Sequence, residues 1–165
     1  MGDRIQPENN RTFKTGSGTW TGPFVWHSDT LDFHQGYITV AVPMGGGPIV
    51  ISLPPPAIKV TPGVGHGFGG GALQFNDGLA LVLFDWMITD GVYTDYGAHA
   101  RSALHNTWLG ILGIYAVPLD WNVHNTRLDI SVYTPSGNPG MIAFDDFSLS
   151  PPTKGTQYLP IMGIG

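Results

Sequence analysis

The sequence predicts an all-β fold, a β-sandwich of the jelly-roll kind, and three observations predict it. Strong helix formers are scarce, since Glu8 is the only glutamate and Lys14, Lys59 and Lys154 are the only lysines, which leaves little to furnish a helix surface. Thr, Val, Ile and aromatic runs are broken instead by 24 glycines and 14 prolines, the punctuation of short strands and turns. The final run alternates, with Ala143, Phe147 and Leu149 on one face and Pro151-Pro152 stopping it, as in a half-buried strand. At 165 residues the default is one domain, which buries roughly 70% of its unfolded surface.

In chain order, residues 1–11 are polar and predict an N-terminal arm. The jelly-roll domain spans 12–152, and an apolar C-terminal tail occupies 153–165. Strands are expected at 37–42, 49–53, 58–61, 79–89, 108–116, 128–134 and 141–149, and seven or eight strands suit a jelly roll. Along 127–133, Leu128, Ile130 and Val132 point one way while Arg127, Asp129, Ser131 and Tyr133 point the other, giving one core face and one wet face. The run Leu79-Ala80-Leu81-Val82-Leu83-Phe84 is apolar on both faces and predicts a central or covered strand. Asp90-Gly91 predicts a tight hairpin turn. The glycine-rich stretches 45–47 and 62–71 predict loops rather than phosphate cradles, because no Gly-Lys-Ser/Thr follows and no helix opens there. Pro54-Pro55-Pro56 predicts a stiff connector. Paired Asp145 and Asp146, adjacent on a strand, should face opposite sides of the sheet, and the inward one needs hydrogen-bond partners or a cation.

The stretch 10–20, ending in Trp20, and the closing strand Ile142-Ala143-Phe144-Asp145-Asp146-Phe147-Ser148-Leu149 resemble the opening and closing motifs of the jelly-roll carbohydrate-binding modules. Trp108, then Tyr115-Ala116-Val117-Pro118 and Arg127-Leu128-Asp129-Ile130-Ser131-Val132-Tyr133, are similar to that family's later strands, so the resemblance covers about residues 10–151. It implies a non-catalytic sandwich that binds a glycan and carries a structural calcium. Thr12 and Lys14 stand where the family usually has Asp and Glu, so the implied calcium loses an acidic ligand and gains a cation. No metal and no cofactor is expected.

Composition excludes several classes. Seven Lys and Arg stand against twelve acidic residues, and none of the basic ones falls in 15–58 or 60–100, so a phosphate-neutralising nucleic-acid surface is not expected. There is no cysteine, which removes disulfides, zinc–thiolate sites and thiol nucleophiles. No apolar stretch reaches the length of a membrane span and the N-terminus has no apolar signal core, so a soluble chain without membrane contact is expected. Low charge with many aromatics also suits a surface covered by neighbouring subunits.

Catalysis finds little support. Two His and two Asp fall within Trp26-His27-Ser28-Asp29-Thr30-Leu31-Asp32-Phe33-His34, but in an extended segment His27 and Asp29 share one face and Asp32 and His34 the other, so the four converge only across a turn. The aspartates Asp85, Asp90, Asp95, Asp145 and Asp146 offer no evident acid/base pair across a glycosidic bond, and Ser28, Ser102 and Ser136 sit in no nucleophile elbow. The chain is therefore not expected to be an enzyme. Sugar recognition needs aromatic rings beside hydrogen-bonding carboxylates, and the candidates are Trp26, Tyr93, Tyr96, Asp90 and Asp95, in or beside turn-rich segments. Trp20, Trp86, Trp108 and Trp121, inside strand-like runs, are expected in the core.

The functional expectation is a structural assembly protein, a capsid decoration or cement protein of a bacteriophage virion, with glycan binding as the alternative. Its partners would be further copies of itself, a trimer being expected, and neighbouring capsid subunits. Tyr158, Leu159, Ile161, Met162 and Ile164 would make assembly contacts, by packing either on their own sandwich or on an adjacent subunit.

Overall fold

A computed structural model describes residues 2–151. The tail, with Tyr158, Leu159, Ile161, Met162 and Ile164, lies outside the described residues. In chain order the elements are a four-residue helix α1 (Asn9–Thr12), β1 (Val25–Leu31), β2 (His34–Val42), β3 (Ile49–Leu53), β4 (Gly65–Gln74), β5 (Leu83–Thr89), β6 (Thr94–Ser102), β7 (Leu104–His105), β8 (Leu109–Ala116), β9 (Arg127–Tyr133) and β10 (Gly140–Leu149). Two sheets face one another. The first runs β1-β2-β10-β4, with β8 antiparallel along most of β4 and the short β7 parallel to its end; the second runs β3-β9-β5-β6. The expected all-β sandwich is what forms.

The two inner faces meet in an aromatic core. Phe68 packs edge-on to Trp86 at 5.1 Å, Trp86 edge-on to Phe147 at 5.5 Å, and Phe84 edge-on to Phe144 at 5.3 Å. Trp20 and Phe13 close one end on Phe147, so the aromatic opening does answer the last strand. Trp20, Trp86 and Trp121 are buried, as expected. Each large side chain so buried contributes about 1.5–3 kcal/mol.

Several sequence expectations need correction. The polar arm is part of the fold: Ile5 is buried and bridges Ile58, Arg4 N–H donates to the Leu149 carbonyl, and Asn10 is fully enclosed, its carbonyl accepting from the Trp20 indole. That bridge is the only β-structure at 58–61, where a strand was expected. The glycine-rich 62–71 stretch, read as a loop, contains most of β4. Glycine is required there because a Cβ on Gly70 would lie 2.8 Å from Phe147 and 3.1 Å from Trp86, so core aromatics approach the bare backbone. The 79–89 run is strand only from Leu83, where β5 lies between β9 and β6.

Candidate functional site

β1 and β2 form a hairpin whose two-residue tip, Asp32-Phe33, has φ +44° and +73°. Both residues are left-handed, as a tight turn of the strand-matching hand demands. Asp tolerates that region; Phe does not, and its occupation costs on the order of 1 kcal/mol or more. Phe33 is nevertheless 95% exposed, so neither burial nor backbone preference accounts for it.

Beside this tip lies a cavity of about 360 Å³ lined by Lys14, Phe33, His34, Gln35, Asp145 and Asp146. Nδ1 of His34 is 2.8 Å from Oδ2 of Asp145 and 3.2 Å from Oδ2 of Asp146. Adjacent residues of a regular strand cannot both reach one imidazole, so the expectation that the two aspartates face opposite sides fails. The reason is local: the pairing of β10 with β4 shifts between Asp145 and Ser148, and Asp146 takes φ +55°, a bulge that re-aims a side chain. The same shift puts Ala143 on the outer face while Phe147 and Leu149 point inward, so these three do not share one face. Asp145 is almost fully enclosed, and among the described residues its Oδ1 has no hydrogen-bond partner. Burial pushes its carboxyl up to about 7, the neighbouring Asp146 charge adds to the rise, and the His34 hydrogen bond opposes it.

A row of rings continues from the cavity across the outer face of the first sheet. Trp108 stacks on His34 at 4.2 Å and meets Tyr37 edge-on at 6.4 Å, and Tyr37 stacks on His27 at 4.7 Å. Polar contacts fix the row: the Trp108 indole donates to the Leu31 carbonyl, the Tyr37 hydroxyl donates to Asp29, and Nε2 of His27 is 2.9 Å from the Thr39 hydroxyl. The floor is Leu73 and Ala143, a second, small apolar cluster. Trp108, expected in the core, is half-buried and outward. Tyr37, His27 and His34 were missed as ring partners, because their convergence depends on the hairpin register. The alternation His27, Asp29 before the tip and Gln35, Tyr37, Thr39 after it is the one local signal for that face.

Of the sequence-predicted glycan residues, Trp26 stands apart from the other four. Trp26 lies in the first sheet and donates its indole N–H to the Phe13 carbonyl. The other four gather around the β5–β6 hairpin of the second sheet, whose Asp90-Gly91 turn forms as expected. Asp90 is buried there and accepts from the backbone N–H groups of Val92, Tyr93 and Asn122. Burial alone would raise its pKa; these donors outweigh that and lower it. Asp95 accepts from Ala116 N–H at 2.6 Å. Both carboxylates are thus committed to holding the fold. Tyr93 bonds Asp120 and stacks on Trp121 at 6.5 Å, while Tyr96 is exposed beside His99.

No family model matches the sequence, and no curated protein matches it. Solved structures match over most of its length. A xylan-binding domain of family 22 from Paenibacillus barcinonensis superimposes with a TM-score of 0.62 at 13% identity, covering 85% of this chain and 90% of that one. A family 61 carbohydrate-binding module in complex with β-1,4-galactotriose gives 0.60 at 15%, covering 90% and 98%. The fold is that of the jelly-roll carbohydrate-binding modules. The enzymatically active domain of tailspike protein 4 of bacteriophage CBA120 also matches, with a TM-score of 0.58 at 14% identity over 89% of this chain and 21% of that one.

The structural calcium implied by the family resemblance does not fit the residues present. Calcium takes about six to eight oxygens, whereas the closing strand's aspartates are bridged by an imidazole nitrogen and Lys14 lines the same cavity. One imidazole and two carboxylates do lie with ligand atoms within 4.8 Å of one another, a donor set closer to zinc than to calcium.

Proposed function

We propose that the chain is a non-catalytic glycan-binding module whose site is the cavity at the β1–β2 tip. The observation that carries the reading is Phe33, kept almost wholly exposed in a backbone conformation that disfavours it, beside a polar cavity. A pyranose presents an apolar C–H face and a rim of hydroxyls, and needs one ring to stack on with a few fixed polar groups. Phe33 supplies the ring, and Gln35, Lys14 and Asp146 supply the polar groups, with His34 held in place by Trp108. The likeness to a xylan-binding domain and to a module in complex with β-1,4-galactotriose supports the reading. Xylohexaose and β-1,4-galactotriose are the first probes, followed by a glycan array. Phe33→Ala should weaken binding about ten-fold or more, while Tyr93→Ala and Tyr96→Ala leave it unchanged. Binding insensitive to Phe33 but lost with Tyr93 would move the site to the second sheet.

A virion role, as a homo-oligomeric capsid decoration or cement protein, is the second reading. Its support is an apolar ridge on the outer face of β8, where Leu112 and Ile114 are 79% and 62% exposed, together with the likeness to a phage tailspike domain. Exposed apolar surface of this kind marks contact with another protein. Light scattering tests it. A stable oligomer that dissociates on Leu112→Ser supports assembly through the ridge, and a monomer at all concentrations removes it.

A further inference from the structure

We propose that a second, separate cleft binds the carboxylate of an acidic sugar, a uronate unit of an anionic polysaccharide. The cleft, about 510 Å³, lies where the N-terminal segment crosses the 56–60 strip and meets Val123 and His124. Arg4, Lys59 and His124 line it over an apolar floor whose accessible residues are the exposed Pro56 and the half-buried Val123, Ile58 and Val60 belonging to the core, and no acidic residue is among the described lining. In a chain of formal net charge −5 with seven Lys and Arg in all, this is a marked local reversal of sign.

The backbone forces the two strongest cations together. Ile5 pairs with Ile58 in an antiparallel bridge, Gln6 N–H donates to the Ala57 carbonyl and Lys59 N–H to the Arg4 carbonyl, so Arg4 stands directly opposite Lys59. Residues opposite one another project to the same side, and like charges so placed are destabilising. The nearest carboxylate does not relieve the pair. Asp3 accepts from the Ile5 and Leu149 backbone N–H groups and lies 3.9 Å from Arg11, and neither Arg4 nor Lys59 has an ion-pair partner among the described residues. An anion seated between them removes the repulsion and gains charge-assisted hydrogen bonds.

The floor decides the kind of anion. A bare inorganic ion would leave the apolar floor wet, whereas a uronate lays its C–H face on Pro56 and Val123 and directs its carboxylate to the cations. The word sugar rests on the glycan-binding reading above; the anion does not, and the two sites share no residue.

The test is titration of the full chain with oligogalacturonate, with neutral xylohexaose and with inorganic phosphate, at low and at physiological salt. Oligogalacturonate should bind, weaken as salt rises, and lose about ten-fold or more on Lys59→Gln or Arg4→Gln, with Phe33→Ala leaving it unchanged. Without ligand, Lys59→Gln should raise the melting temperature at low ionic strength by removing the like-charge pair. No oligogalacturonate binding, or binding indifferent to both variants, overturns the proposal even if xylohexaose binds at Phe33. Phosphate binding as tightly as oligogalacturonate overturns the sugar assignment.

Discussion

Phe33 and Asp145 show two ways in which one residue is held against its own preference. Phe33 occupies a left-handed turn position and stays in water, so replacing it with glycine relieves backbone strain and removes the stacking ring together. Asp145 is a carboxyl held near pH 7 by burial first, then by Asp146, against the pull of His34. Its folded pKa lies above the unfolded value of 3.8, so the folded chain holds a proton that the unfolded chain has released. The contribution favours the fold below 3.8 and is lost as pH rises to about 7. Asp145→Asn should therefore raise the melting temperature most at pH 8 and least at pH 4. A difference constant across that range would mean that Asp145 is ionised throughout.

At the scale of elements, hairpins and close approaches govern stability. Asp90 ties the β5–β6 turn to the loop ahead of β9 by accepting three backbone N–H groups. Asp90→Ala strands those donors and should cost about 2–4 kcal/mol in chemical denaturation, without touching the Phe33 cavity. Where β6 meets β8, a Cβ on Gly113 would overlap the Gly97 carbonyl. Gly113→Ala should therefore lower the melting temperature by several degrees, as overpacking of a closed contact does. These positions also mark what the sequence made legible. The alternation of β9 and the Asp90-Gly91 turn were readable because side-chain period and turn chemistry are local. β4 was not, because its glycines answer to Phe147, Trp86 and β8, all distant in sequence. The Asp145–Asp146 bulge was likewise hidden, since only pairing with β4 reveals that both carboxylates turn to His34.

For the whole molecule, the sandwich separates its surfaces cleanly. Basic residues are few, and the backbone places two of them, Arg4 and Lys59, together at one cleft. The resemblance carried by the terminal motifs was legible as a fold, because the opening and closing runs pack on each other through Trp20, Phe13 and Phe147. It was less informative about the site. Trp26, Tyr93, Tyr96, Asp90 and Asp95 were chosen for lying in or beside turn-rich segments, whereas the proposed site draws its groups from the β1–β2 tip and the far end of the chain. A paired measurement on Phe33→Gly, by thermal melting and by titration with the oligosaccharide that the parent chain binds, asks whether the strained, exposed ring is held there for binding. If it is, the melting temperature stays unchanged or rises and binding weakens about ten-fold or more. A variant that melts lower, or that binds as well as the parent, would contradict it.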